Sequence, residues 1–172
     1  MRAELTVIRV AVRVAVWVAV FVASLADLSS AVAQTGAAAV EDEVAVVVNN
    51  KNPVSNLTTL ELRQLFAGQK RSWMGGRPVV LFVRAPGAHE RVVLLKLLDM
   101  SESDYKRYWT VQVFRGEAMA EPVALFSNGM QKEALTTFPG AIALVNYQDV
   151  KPGMKILKVD GHLPGEAAYP LN

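Results

Sequence analysis

Short, uninterrupted apolar runs constrain the fold of this chain most. They occur at 43–49 (EVAVVVN), 78–84 (PVVLFVR) and 141–145 (AIALV), with a further strand candidate, MKILKV, at 154–159. A strand without polar alternation is typical of a sheet that is covered on both faces. These runs therefore predict a buried sheet inside a layered protein.

Helical patterns separate the predicted strands. Four helices are predicted, at 58–67, 88–99, 101–114 and 128–138. Thr58 and Glu61 fit a capping box at the start of the first helix, and Gly68 ends it. Its buried side is predicted to consist of Leu60, Leu62, Leu65 and Phe66. Alternating strands and helices predict an α/β fold with a mainly parallel central sheet flanked by helices.

The first 33 residues have the pattern of a secretory signal peptide. Three arginines precede an apolar run of 13 residues at 14–26, and Ala31-Val32-Ala33 supplies the small residues of a cleavage site. Such a run is short for a membrane span, which needs about 20 residues. We expect a signal peptide at 1–33, a flexible leader at 34–42, one domain at 43–161 and a tail at 162–172. An uncleaved membrane anchor is the alternative.

The charge balance and the absence of cysteine limit the classes of partner and the cellular locations that we expect. The chain has no cysteine, and residues 34–172 carry 15 basic and 14 acidic residues. That balance gives no electrostatic case for nucleic acid or for an anionic membrane surface. Export without disulfides indicates a bacterial periplasm or the cell exterior. Membrane contact is expected only through the signal peptide before cleavage.

The residue types and motifs of the sequence favour a non-enzymatic role without a cofactor or a metal. There is no cysteine nucleophile, and only His89 and His162 could act as an imidazole base. None of the common nucleophile, zinc or phosphate-loop motifs occurs. Three acids could be imagined as metal ligands but are better explained as helix caps and surface charges: Asp99, Glu102 and Asp104.

Several motifs follow one another in a specific order between residues 43 and 161. They are VVVNNKNPVSNLTTLELRQLFAGQKRSW, RPVVLFVRAPGAHER, FPGAIALVNYQDV and KILKVDG. Their order and spacing resemble phosphate-type substrate-binding proteins of ABC transporters, which have the type 2 periplasmic-binding-protein fold. Full members of that family close two lobes on the ligand, and the matched stretch corresponds to one of them. The resemblance implies a secreted, single-lobe solute-binding role, with a small anion as ligand and an ABC permease or a sensor protein as partner.

The turn after the second strand corresponds to the ligand-holding turn of that family. There, a strand-end Arg is followed by x-D-G-S-G-T, whose hydroxyls, amides and carboxylate hold phosphate. Arg84 and Gly87 match this pattern, whereas Pro86 stands in place of the Asp. The Ser, Gly and Thr positions are taken by other residues. The resemblance thus implies a candidate binding set with degraded chemistry: Arg84, Gly87, Ala88, His89 and Glu90.

Two interpretations of this turn stay open. Arg84 can hold an anion, or it can form an ion pair with Glu90. His89 and Arg91 can contribute to a site or lie in a solvated first helical turn. The alternative function is a ligand-free module that uses the former cleft face to bind another protein or a second copy of itself.

Aromatic residues elsewhere are predicted to serve packing rather than recognition. Trp73 lies in a basic loop that could suggest nucleic acid, yet folding onto the core is the simpler explanation. The helical spacing of Tyr105, Tyr108 and Trp109 likewise predicts a buried stripe rather than a sugar platform.

Overall fold

The computed structural model describes residues 43–171. The predicted signal peptide at 1–33 and leader at 34–42 lie outside the described residues. Strands occupy Val44–Asn49 (β1), Asn56–Leu57 (β2), Val80–Arg84 (β3), Val123–Leu125 (β4), Ala141–Asn146 (β5), Met154–Ile156 (β6) and Lys158–Val159 (β7). Helices occupy Thr59–Phe66 (α1), His89–Leu98 (α2), Glu102–Phe114 (α3) and Asn128–Thr137 (α4), and Tyr147–Asp149 form a short 3-10 helix.

The central sheet has the strand order β4-β3-β5-β1-β6, and β2 pairs separately with β7. Strand β3 is parallel to both of its neighbours, β4 and β5. Strand β1 runs antiparallel to β5 and to β6. The predicted α/β fold with a sheet flanked by helices is confirmed. The parallel part of the sheet is β4-β3-β5. The sequence did not indicate which strands are parallel, because a buried β-branched run has the same local pattern in either direction.

The two faces of β1 explain why its sequence shows no alternation. Val44, Val46 and Val48 belong to a core that also includes buried residues of α1, α2 and α3. Ala45 and Val47 face a second core, which includes residues of α4. Every residue of this strand is buried, so both faces of its valine and alanine run are apolar. The polar residue at its end, Asn49, donates its side-chain amide to the Leu135 carbonyl at 2.7 Å.

Helix α1 begins as its sequence indicates. Thr58 is the N-cap, and its capping box with Glu61 is confirmed. The predicted burial is confirmed for Leu62, Leu65 and Phe66 but is wrong for Leu60, which is 66% exposed. At about 100° per residue, position 60 lies roughly opposite position 62 on the helix. The solvent side therefore carries one leucine.

The aromatic residues pack as predicted. The Trp73 side chain is buried, and its Nε1–H donates to the carbonyl of Gly140 at 2.9 Å. Tyr105 and Trp109 are buried in the core, and the Tyr108 hydroxyl donates to the Ala67 carbonyl at 2.7 Å. The first hydrogen bond holds the 69–79 loop to the residue before β5, and the second joins α3 to the end of α1.

The segment after residue 161, predicted as a tail, packs on the same core. Tyr169 and Leu171 are both buried. The Tyr169 hydroxyl oxygen accepts the Val46 N–H at 3.3 Å, and burial raises the pKa of this phenol above its ordinary range. The final residues thus contribute to the stability of the domain.

Candidate functional site

The carboxyl ends of the three parallel strands meet at one edge of the sheet. Four residues separate the end of β3 from the start of α2, and two residues separate the end of β4 from the start of α4. Two helix N-termini consequently follow strand ends at this edge, where open α/β sheets commonly hold their ligands. The predicted site residues all lie in the first of these connections.

The turn between β3 and α2 is closed by main-chain hydrogen bonds. Ala85 N–H donates to the Leu125 carbonyl at 3.0 Å, and Ala88 N–H donates to the Ala85 carbonyl at 3.3 Å. Gly87 has φ +89°, a left-handed conformation that favours glycine. A Cβ at this position would meet no heavy atom within 4 Å. Gly87 is therefore needed for its backbone conformation, and the space beside it is open.

The start of α2 has no side-chain cap. Ala88 occupies the N-cap position and cannot supply an acceptor. The main-chain N–H groups of Gly87 and Glu90 have no acceptor among the described residues, whereas that of Ala88 is engaged in the turn. The Ala88 amide is therefore not available to a ligand. The remaining uncapped start still presents donors to this edge.

Arg84 lies largely buried beside Glu90. Its Nε lies 3.5 Å from the Glu90 Oε1, and the side chains are only 14% and 7% exposed. This contact is the ion pair that one of the two interpretations of Arg84 describes. The pair does not satisfy the guanidinium, because Nε and Nη1 are buried without a hydrogen-bond partner. Arg84 thus combines a nearby countercharge with donors that lack acceptors.

The two other charged residues of this helix start differ in environment. His89 is exposed, as a solvated first turn predicts. Arg91 is buried, so the same prediction is wrong there: it makes two 2.9 Å hydrogen bonds with Glu102 and lies 3.8 Å above the Tyr105 ring. Burial opposes the charge on Arg91, but the bonds with Glu102 raise its pKa overall, and they lower the pKa of Glu102. This arginine joins α2 to α3.

The remaining polar candidates form structural contacts. Asp104 receives hydrogen bonds from Ser101 and Arg107, as expected of a helix cap and a surface charge. Within residues 43–171, no group of three potential ligands is arranged to hold a metal ion. None of the helices in this range is long and apolar enough to cross a membrane.

Two open cavities lie away from the candidate site. One, of about 430 Å³, is lined by Trp109, the 116–123 segment and the start of β3. The other, of about 390 Å³, lies between α1 and the α2–α3 junction. Neither is lined by Arg84, Gly87 or Glu90. These two cavities therefore do not provide a site for an anion at the β3–α2 turn.

Sequence reasoning missed two features that shape this edge. The first is β4, whose three residues are too few to give a periodic signal, although Leu125 anchors the turn. The second is the pair of Arg91 and Glu102, which lie 11 residues apart on different helices. The nearby Tyr105 was the available signal, because arginine commonly stacks on aromatic rings.

No family model matches the chain. The structure is similar to an ABC-type phosphate transport receptor from Vibrio cholerae, with a TM-score of 0.57 and 20% identity over 71% of this chain and 48% of the receptor. It is also similar to PstS from Borrelia burgdorferi, with a TM-score of 0.54 and 14% identity over 71% and 49% of the two chains. The chain therefore has the fold of one lobe of a phosphate-type substrate-binding protein. It spans about half the length of these solved structures.

Proposed function

We propose that this chain is an exported, non-enzymatic component that binds a small anion at the β3–α2 turn. Arg84 and the amides of Gly87 and Glu90 are the proposed donors, with Ala88 and His89 beside them. The matched structure from Vibrio cholerae is named as an ABC-type phosphate transport receptor, which supports an ABC permease as the partner. A sensor protein is the alternative partner. The proposed location is the bacterial periplasm or exterior.

The unsatisfied guanidinium of Arg84 carries this proposal. Buried polar atoms in folded proteins almost always have a hydrogen-bond partner, so buried donors without one call for a missing acceptor. An anion at this turn would accept from Arg84 and from the uncapped start of α2. The open space beside Gly87 leaves room for it.

Orthophosphate is proposed to be a poor ligand. Three side chains of the resembled turn are replaced by Pro86, Ala88 and Glu90, and the last of these is an acid next to Arg84. Each lost hydrogen bond to a charged group costs about 1.5–3 kcal/mol. Losing two or three of them lowers affinity by about two to six powers of ten. A monovalent carboxylate fits the remaining donors better than a phosphate dianion.

Calorimetric titration of the purified chain with acetate, sulfate and orthophosphate tests the proposal. Arg84→Ala should abolish binding of whichever anion binds the wild type, and Arg84→Lys should weaken it by losing the planar fork. Arg71→Ala, at an exposed arginine in another loop, should leave the affinity unchanged. Equal binding by wild type and Arg84→Ala would place the site elsewhere.

The ligand-free interaction module is the second candidate function. The observation that favours it is the existing Arg84–Glu90 contact, which already places a carboxylate beside the guanidinium. Under this alternative no anion binds, and Arg84→Ala mainly lowers the melting temperature. Calorimetry and thermal unfolding of the same variant therefore separate the two functions.

A further inference from the structure

Strand β4 is at the edge of the central sheet, and no strand among residues 43–171 pairs with the outer side of its backbone. Ala85 N–H donates to the Leu125 carbonyl, so Leu125 directs its main-chain groups toward β3. Successive residues of a strand direct theirs to opposite sides, and hence Ala124 directs its N–H and C=O away from the sheet. Among the main-chain hydrogen bonds that the described residues form outside the strand ladders and helices, none involves Pro122, Ala124 or Phe126.

Of the features that usually prevent strand pairing, residues 122–126 have a short strand and one proline but no charged side chain. Residues 122–126 read PVALF and carry no charge. Val123 is 54% exposed and Phe126 is 72% exposed. Edge strands are normally protected by charged side chains, by bulges or by a covering segment. Pro122 is the single protective residue, and it removes one N–H at the end of the strand.

We propose that β4 pairs with β4 of a second copy of this chain, antiparallel and centred on Ala124. In this register the two Ala124 residues exchange both of their main-chain hydrogen bonds. Phe126 N–H of each copy then donates to the Pro122 carbonyl of the other. The pairing would join the two central sheets into one continuous sheet through a twofold axis.

The sequence of the segment favours a second copy over an unrelated strand. Pro122 has a carbonyl but no N–H, and this register asks it only to accept the Phe126 N–H of the other copy. The two central side chains are alanines, which allow close approach. Beyond the strand, Glu121 would lie opposite Ser127, so no like charges face each other. The exposed Phe126 would lie against Pro122 of the other copy.

Sedimentation velocity of the purified chain over a range of concentrations tests the pairing. We expect a reversible monomer–dimer equilibrium. Ala124→Pro removes the outward N–H without removing a bond to β3, and it should raise the dimer dissociation constant at least tenfold. Ala120→Pro, the same substitution in the exposed preceding loop, should leave the constant unchanged. A wild-type monomer at all concentrations, or a dimer indifferent to Ala124→Pro, would overturn the proposal.

Cysteine cross-linking provides a second measurement that does not depend on proline. The chain contains no cysteine, so a single introduced thiol reports only on its own contacts. Directly opposite residues of a hydrogen-bonded pair have Cα atoms about 5.5 Å apart, within reach of a disulfide. Ala124→Cys should therefore form a disulfide-linked dimer on mild oxidation, well ahead of Ala120→Cys. Equal cross-linking of the two variants would contradict the register. The anion proposal does not depend on this outcome.

Discussion

Arg84 and Arg91 show how burial and partners determine what a guanidinium does in this protein. Arg91 is matched by two hydrogen bonds to Glu102 and by the face of Tyr105. Arg84 has a carboxylate at 3.5 Å but buried nitrogens without acceptors. The first arrangement fits a structural role, and the second fits a binding role.

Removing Arg91 should destabilise the domain. Arg91→Ala deletes a buried side chain that holds α2 to α3 and leaves Glu102, which is partly exposed, without its partner. We expect the free energy of unfolding to fall by about 1–3 kcal/mol, as measured by urea denaturation. Arg107→Ala serves as the control, since it breaks only a surface pair with Asp104 and should have little effect. Equal effects of both variants would contradict the structural role.

The same pair should make stability depend on acid pH. The hydrogen bonds from Arg91 lower the pKa of Glu102 below its ordinary 4.5. Because the pKa is lower in the folded state, the contribution is present above the ordinary pKa and is lost as pH falls through the folded value. Glu102→Gln should therefore reduce the loss of stability measured between about pH 5 and pH 3. An unchanged acid dependence would show that this carboxylate does not contribute.

At the residue scale, the sequence predicted only what local patterns encode. The capping box of Thr58 and Glu61 and the ion pair of Arg84 and Glu90 involve residues close together in the chain. The burial of Arg91 depends on how α3 packs against α2, which no pattern within α2 contains. Leu60 was predicted to be buried but is exposed, because several leucines at a helix start do not determine which face of the helix turns toward the core.

At the scale of elements, close contact between backbones fixes the junction of β3 and β5. A Cβ on Gly140 would collide with the Pro78 carbonyl oxygen. The Gly140 carbonyl also accepts two hydrogen bonds, one from the main-chain N–H of Val80 and one from the side-chain Nε1–H of Trp73. Gly140→Ala should lower the free energy of unfolding by about 1–3 kcal/mol, measured by chemical denaturation.

Gly129 offers the matched control for that substitution. It lies inside α4, and its added Cβ would come no closer than 3.7 Å to a neighbouring atom, the Ser127 Oγ. Gly129→Ala should raise the free energy of unfolding by up to about 1 kcal/mol, because alanine favours helix. Changes of the same sign in both variants would contradict the close approach at Gly140.

A hydrogen-bonded carboxylate joins the start of α1 to the end of β7. Asp160 accepts the Thr59 N–H at 3.0 Å and the Thr59 hydroxyl at 2.5 Å, and these bonds lower its pKa. Asp160→Asn keeps the left-handed backbone accessible but removes the charge at the helix start. We expect a modest loss of thermal stability at neutral pH that diminishes as pH falls below the ordinary carboxyl pKa of 3.8 and through the lower folded value, where the wild-type carboxylate also becomes protonated. A difference that stays constant as the pH falls would contradict the electrostatic explanation.

Local sequence patterns predicted the buried strands but not their relative directions. The continuous apolar runs of β1, β3 and β5 identify buried strands, since both faces of the sheet are covered. Their relative directions depend on the path of the chain, so the antiparallel placement of β1 had no local signal. β4 was missed because three residues form a strand only when β3 supplies the hydrogen bonds.

At the scale of the whole molecule, export remains a prediction from the first 33 residues. We predict that a signal peptidase removes these residues by cleavage before Gln34, because they have a charged start, an apolar run and a small-residue cleavage site. Intact-mass measurement of the protein recovered from the periplasm or medium should show a chain that begins at Gln34. A full-length chain retained in the membrane fraction would support the anchor alternative instead.

Arg84 is proposed to hold an anion at an edge where Glu90 competes for the same guanidinium. Glu90→Gln removes the competing charge and keeps nearly the same shape, so calorimetric titration of this variant with acetate is the decisive test. We expect acetate to bind at least tenfold more tightly than to the wild type, and this binding to be lost in the Arg84→Ala, Glu90→Gln double variant. Unchanged acetate affinity in Glu90→Gln, or binding that survives in the double variant, would contradict the proposed role of Arg84.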